Sequence, residues 1–200
     1  MDNRSLDASP MRVVDAVREI FEAQAAKAKD TASGEQLLRV LSLMEELRPD
    51  PAPGEPRQLP GCRHVERALE LAESGGAAAV AAAIRPLLPS LTWEQNPRYN
   101  AGNMGAEFMD NYAWSGLGLI GSDSISFGVL LLGPVVTYPP TSYESEGVFL
   151  VIGGSPEWKS GDDPWVRVEA GSIVCRPYGG AEGKRPGREP MLALYAWLYR

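Results

Sequence analysis

A mainly β protein is the expectation from this chain, with an antiparallel barrel over residues 91–200 preceded by a helical region over residues 1–90. Three observations carry it. Apolar residues recur at three- and four-residue intervals through the first ninety positions, the period of an amphipathic helix. From about residue 106 the chain breaks into short β-branched or aromatic runs separated by Gly, Pro and Asp. With 200 residues, 44% hydrophobic and 22% charged, the chain has the composition of one globular body with one sizeable core.

The first helix is expected over about 10–29. Ser9 followed by Pro10 is a cap with proline at the first helical position, and Val13, Val17, Ile20 and Phe21 then share a face. A second helix is expected over 34–48, opened by Ser33 and Gln36 in capping-box spacing and striped by Leu37, Leu41, Met44 and Leu47. The stretch PDPAPGEPRQLP, residues 49–60, is too rich in proline to continue it and is expected as an extended connector. Two shorter helices follow, over 62–74 with Val65, Leu69 and Ala72 inward and over 77–88 with Val80, Ile84 and Leu87 inward. His64, the single histidine, falls near a helix start, where a partly exposed structural role is expected.

The strands are expected in ISFGVLLLGPVV, GVFLVIGG, DPWVRVEAG, GSIVCRP and MLALYAWLYR, spaced as in hairpins. Closing them into a barrel removes exposed edges.

Charge and cysteine usage narrow the function. A formal net charge of -7 argues against a nucleic-acid partner, whose phosphates require clustered Lys and Arg. The start, MDNRSLDASPMRVVDAVREIF, lacks the basic and continuous apolar regions of a secretory signal, and no apolar run is long enough to span a membrane. Cys62 and Cys175 lie far apart and form no metal or disulfide spacing. A cytoplasmic protein with two reduced thiols, a small organic partner and no membrane contact is the expectation.

Two stretches have the frame of the metal motifs of a cupin, a jelly-roll barrel. Strand residues two apart share a face, so ligands at even separations converge on one ion inside such a barrel. The second motif is intact as Gly171, Pro177-Tyr178-Gly179 and then Glu182, where a histidine belongs. In TYPPTSYESEGVFLVIGG the first motif fits with Thr141 and Tyr143 at its histidine positions, Gly147 at its glutamate position and Gly154 as its closing glycine. Glu144 and Glu146 are out of phase with this inward set and are expected on the opposite face.

At finer grain, LLLGPVVTYPP, GVFLVIGGSPEW, WVRVEAGSIVCRPYGG and LALYAWLYR, with LTWEQNPRY and NYAWSGLGLIG upstream, resemble the bacterial dimethylsulfoniopropionate (DMSP) lyase cupins. That resemblance implies helices ahead of the barrel, a homodimer, and cleavage of DMSP to dimethyl sulfide and acrylate by β-elimination at a divalent metal. The family's ligands, two histidines, a glutamate and a tyrosine, would fall at Tyr143, Gly147, Phe149 and Glu182, so no metal cofactor is expected here. Tyr138 matches a family tyrosine proposed as the base, Trp197 a pocket tryptophan, and Trp93 looks like another aromatic near the site.

Catalytic candidates are therefore Tyr138, Tyr143 and Glu182, with Trp93, Tyr112, Thr141, Phe149 and Trp197 as pocket candidates. Aromatic walls suit a sulfonium, a cation that offers no hydrogen bond through sulfur. The leading expectation is a pocket that binds a small cationic or carboxylated organic ligand with little or no metal-dependent lyase activity. The alternatives are a carbon–sulfur lyase with Tyr138 as base and another reaction using Glu182. Arg176, Lys184, Arg185 and Arg188 lie near the second motif and could hold a substrate carboxylate or lower a tyrosine pKa, but a solvated charged loop is the leading expectation for them.

Overall fold

The computed structural model describes residues 8–73 and 75–199. Residues 1–7 of the polar start, the last residue of the expected 62–74 helix and Arg200 lie outside them. Among the described residues no helix is long and apolar enough to cross a membrane.

Helix α1 spans Pro10–Lys27 behind the expected Ser9 cap, although the Ser9 hydroxyl makes no capping bond. Helix α2 spans Ala32–Leu43 and begins two residues before the expected start. Its cap is Thr31, whose hydroxyl accepts from the Gly34 amide at 3.1 Å, so the Ser33–Gln36 capping box does not form. Gln36 instead turns inward and donates to the carbonyls of Gly147 and Arg176 at 3.1 and 3.0 Å.

The next two helices are shorter than their sequence pattern. A 3-10 turn at Pro60–His64 leads into α3, Val65–Glu70, while α4, Ala78–Ile84, gives way to a 3-10 turn at Arg85–Ser90. Pro86 and Pro89 lack the amide hydrogens that α-helical pairing requires. His64 is half-buried at this helix start, with Nε2 2.9 Å from Asn111 Oδ1. Two single-turn helices, α5 at Ala101–Met104 and α6 at Ala106–Met109, were not anticipated, being too short to display a period.

Among the described residues eleven strands follow the chain order: β1 Arg48–Pro49, β2 Tyr112–Ser115, β3 Leu119–Ile120, β4 Ile125–Leu132, β5 Tyr138–Ser142, β6 Glu146–Gly153, β7 Glu157–Ser160, β8 Val166–Arg167, β9 Ile173–Arg176, β10 Ala181–Arg185 and β11 Met191–Leu198. A five-stranded sheet has the order β2-β4-β11-β6-β9, and a four-stranded sheet the order β5-β10-β7-β8. Their pairings are antiparallel. The connector is extended and mostly exposed, pinned by β1 to β3 and by a bridge from Arg57 to Thr92.

The five-stranded sheet is buried on both faces, which is why its strands are almost continuously apolar. Val148, Leu150 and Ile152 of β6, with Leu192, Leu194 and Ala196 of β11, join Phe21, Leu37, Leu69 and Ile84 in a core shared with the helices. The alternate residues, Phe149, Val151, Ala193 and Tyr195, join Tyr138 of β5 and Trp158 of β7 in a second core inside the barrel. Close approach of α3 to β6 depends on Gly153, where a Cβ would stand 1.8 Å from the Ala68 carbonyl oxygen.

Candidate functional site

Strand alternation turns the inward residues of β4, β6 and β11 toward β5 and β10, leaving a cavity of about 260 Å³ between the sheets. Pro97 and Tyr199 are exposed at its mouth, whereas Phe149 and Lys184 are buried at its floor. Its walls are mostly aromatic, from Tyr112, Trp114, Tyr138, Tyr143, Tyr195 and Trp197. Tyr143 packs on Trp197 at 5.0 Å between ring centroids, and Tyr195 on Trp197 at 5.6 Å.

Three phenols form a chain. Tyr138 Oη lies 2.7 Å from Tyr99 Oη and 2.8 Å from Tyr143 Oη. Burial pushes Tyr138 and Tyr143 well above the usual phenol range, with the neighbouring Tyr143 adding to the rise at Tyr138. Tyr112 and Tyr195 are raised for the same reason, burial. These hydroxyls are therefore neutral donors and acceptors near pH 7, and phenolate formation at Tyr138 is opposed by its surroundings.

Under the cavity floor lies a buried ionic cluster. Arg176, Glu182 and Lys184 are 3%, 1% and 2% exposed. Lys184 Nζ stands 2.9 Å from Glu182 Oε1, and Arg176 Nε stands 3.5 Å from the same oxygen. Glu182 meets both cations as ion pairs, and neither of its oxygens nor Arg176 Nε has a further hydrogen-bond partner among the described residues. The Arg176 guanidinium donates elsewhere, from Nη1 to the Ser145 carbonyl at 2.6 Å and from Nη2 to the Ser145 hydroxyl at 3.1 Å. The Lys184 ammonium is caged by the rings of Phe149, Trp158 and Tyr138, 4.5, 4.7 and 5.1 Å from their centroids. Burial lowers the pKa of both cations, and the Glu182 charge opposes that fall.

This placement corrects the expected solvated loop at two positions. Arg176 sits on β9 opposite Gly147 of β6, and Lys184 lies on the same face of β10 as Glu182 because only Gly183 stands between them. Only the outward member of that strand pair behaves as expected: Arg185 is half-exposed and bound to Glu157 at 2.6 Å. Arg188 is exposed.

Of the sequence-derived candidates, Tyr112, Tyr138, Tyr143, Phe149 and Trp197 come together around the cavity. Trp93 does not reach it: fully buried, it belongs to the core between helices and barrel, because its segment pairs with the outer connector through Arg57. Thr141 is half-exposed on β5 and donates to the Pro139 carbonyl rather than lining the cavity. Glu182 lies behind Lys184, outside the cavity lining. Glu144 is exposed and Glu146 binds Arg39 of α2 at 2.6 Å, the opposite face expected of them.

The backbone frame of both motifs is built as their spacing requires. Gly154 and Gly171 adopt φ of +86° and +89°, and a Cβ at Gly171 would lie 2.8 Å from Gly76 Cα. The donor set, however, does not fit a divalent ion. Gly147 and Phe149 offer no side-chain donor, Tyr143 is a neutral phenol bonded to Tyr138, and Glu182 is engaged by Lys184. The space over Gly147 is filled by Arg176, whose Nη2 would stand 3.0 Å from a Cβ there. Among the described residues no group of three His, Cys, Asp or Glu side chains is placed to share a metal ion.

Helices in front of two facing antiparallel sheets, with an aromatic cavity between the sheets, define a cupin jelly-roll. The chain belongs to the DMSP lyase family: the family profile, described as dimethylsulfoniopropionate lyase, matches residues 31–193. It is 28% identical over 103 residues to the dimethylsulfoniopropionate lyase DddQ of Ruegeria pomeroyi, a match covering 50% of this chain and about half, 51%, of that protein's length. The crystal structure of DMSP lyase DddQ from Ruegeria pomeroyi superimposes with a TM-score of 0.71 at 22% identity, covering 94% of this chain and 91% of that one. A chain from the crystal structures of the DMSP lyases RdDddP and RnDddQII gives a TM-score of 0.75 at 19% identity with the same coverage. At these identities the superpositions establish the shared fold.

Proposed function

We propose that the cavity binds a small organic ion of the DMSP type and does so without a family-type metal centre. The observation that carries this reading is the ionic cluster at the motif's ligand positions. Arg176 fills the space beside Gly147 and Lys184 engages Glu182, so the place of a metal ion is taken by fixed protein charges. The aromatic walls suit the apolar or onium part of such a molecule, since ring faces attract cations and bury methyl groups alike. A cavity of about 260 Å³ is small enough to select a compact ligand over a polymer.

The test joins metal analysis to turnover. The purified protein is assayed for bound zinc, manganese and iron, and dimethyl sulfide release from DMSP is followed with each metal added and with a chelator. Substoichiometric metal, DMSP binding unaffected by chelator and no metal-stimulated release are expected. Stoichiometric metal together with release abolished by chelator overturns this reading.

A second reading, metal-free carbon–sulfur lysis with Tyr138 as base, is favoured by the Tyr99–Tyr138–Tyr143 chain and the Lys184 ammonium over the Tyr138 ring. It requires a phenolate in surroundings that raise the phenol pKa. Dimethyl sulfide release that persists in chelator and disappears in Tyr138→Phe would establish it.

A further inference from the structure

The ionic cluster has an imbalance of charge. Two cations, Arg176 and Lys184, share the single carboxylate of Glu182 in a region almost wholly removed from water. Glu146 also acts on Arg176 through space, but it lies on the outer face of the sheet and is bound to Arg39. With all three groups ionised the cluster carries one positive charge in excess, and an isolated buried charge is costly unless a counter-charge reaches it. The arginine donates into the Ser145 loop, away from the cavity. Lys184 is the cation that lines the cavity floor.

We infer that Lys184 is the anion-binding residue of this pocket, and that the ligand enters carboxylate first with its bulky head toward the mouth. This rests on the small-ion pocket proposed above and fixes which pole of the ligand is recognised. An ammonium has three N–H donors; one side of Lys184 faces Glu182 and three rings cage its flanks. A carboxylate arriving from the cavity meets the remaining donor direction, balances the excess charge and forms a charge-assisted hydrogen bond. A ligand cation placed at the floor would instead face two buried positive charges. The same cation nearer the mouth meets the faces of Trp114, Tyr195 and Trp197, so the pocket is polar in the sense of its ligand. Lys184 thereby supplies, as a fixed side chain, the positive charge that a metal ion would bring to a carboxylate.

Three compounds of one shape separate the poles: DMSP, with both charges; 4-methylpentanoate, with the carboxylate alone; and the dimethyl(3-methylbutyl)sulfonium cation, with the sulfonium alone. Calorimetric titration of the full chain in the presence of chelator is expected to show both carboxylates binding at least about tenfold more tightly than the sulfonium. In Lys184→Met, which leaves Arg176 and Glu182 as a balanced pair, that preference is expected to fall within about twofold. Equal binding of the sulfonium and DMSP by the unmodified protein overturns the inference while leaving the small-ion pocket standing. Retention of the full carboxylate preference in a folded Lys184→Met overturns the role of Lys184. Absence of binding by all three compounds up to about 10 mM overturns both the inference and the pocket reading. The comparison on unmodified protein decides the matter even where the substitution destabilises the chain.

Discussion

Glu182 is the carboxylate on which two buried cations depend, so its removal has a larger effect than the removal of either cation. Glu182→Gln keeps the shape and strands Arg176 and Lys184 together, with an expected cost of about 3–5 kcal/mol. Lys184→Met leaves one charge of each sign and is expected to cost clearly less; urea unfolding of the two variants gives the comparison, and equal losses would contradict the charge accounting. The phenols make a separate prediction. Tyr112, Tyr138, Tyr143 and Tyr195 hold their protons above the ordinary value of 10, whereas the unfolded chain releases them there. The folded state binds more protons above pH 10, so this contribution is whole below that pH and is lost as pH rises beyond it. Lys184 acts in the opposite sense, its lowered pKa letting stability rise as pH approaches the ordinary lysine value from below. Most of the 295 nm phenolate absorbance of the seven tyrosines should therefore appear together with alkaline unfolding rather than before it. Tyr143 and Phe149 were legible as pocket residues because motif spacing sets their strand phase, and Tyr138 through the resemblance to the DMSP lyase cupins. Lys184 carried the same signal, two residues beyond Glu182, but its Gly- and Pro-rich surroundings resemble a solvated turn. Arg176 was legible only through its cross-strand partner, since a glycine at 147 leaves a space that a long side chain opposite can fill.

At the scale of elements, the contact between α3 and β6 and the anchoring of α2 are the joints that hold helices to barrel. Gly153→Ala would force a methyl group onto the Ala68 carbonyl, so α3 must shift, at an expected cost of about 1–3 kcal/mol. Gln36→Leu would leave the carbonyls of Gly147 and Arg176 without their donor, at about 1–3 kcal/mol. Thermal melts measure both, and a neutral Gln36→Leu would show that α2 docks by apolar packing alone. The positions of α1 and α2 were readable from their apolar stripes, because burial of one face dominates helix placement. The cap of α2 was not, since Ser33 and Gln36 have capping-box spacing while Thr31, just upstream, holds the actual cap. Gln36 was drawn away by a barrel that its own helix cannot reveal.

Over the whole molecule, the helices and the five-stranded sheet share one core, so neither face of that sheet is free to stabilise alone. Trp93 lies in the shared core and Trp158 inside the barrel, which lets tryptophan emission report on both, and far-ultraviolet circular dichroism reports on helices and strands together. One transition with a common midpoint by the two methods is expected. Deleting residues 1–60 would bare the helix-facing residues of β4, β6 and β11 and is expected to give an aggregating product; a stable, monodisperse fragment would show that the barrel folds alone. The antiparallel barrel was legible from strand spacing, whereas the burial of one sheet on both faces followed only from the docking of distant helices. The guanidinium seated over Gly147 also constrains how this molecule could change by mutation. A glutamate installed at 147 would close an ion pair with Arg176 before it could hold a metal, and a histidine at 182 would leave both buried cations without their carboxylate. Positions 147, 176, 182 and 184 are thus bound to change together, since a charge gained or lost at one is felt by the other three.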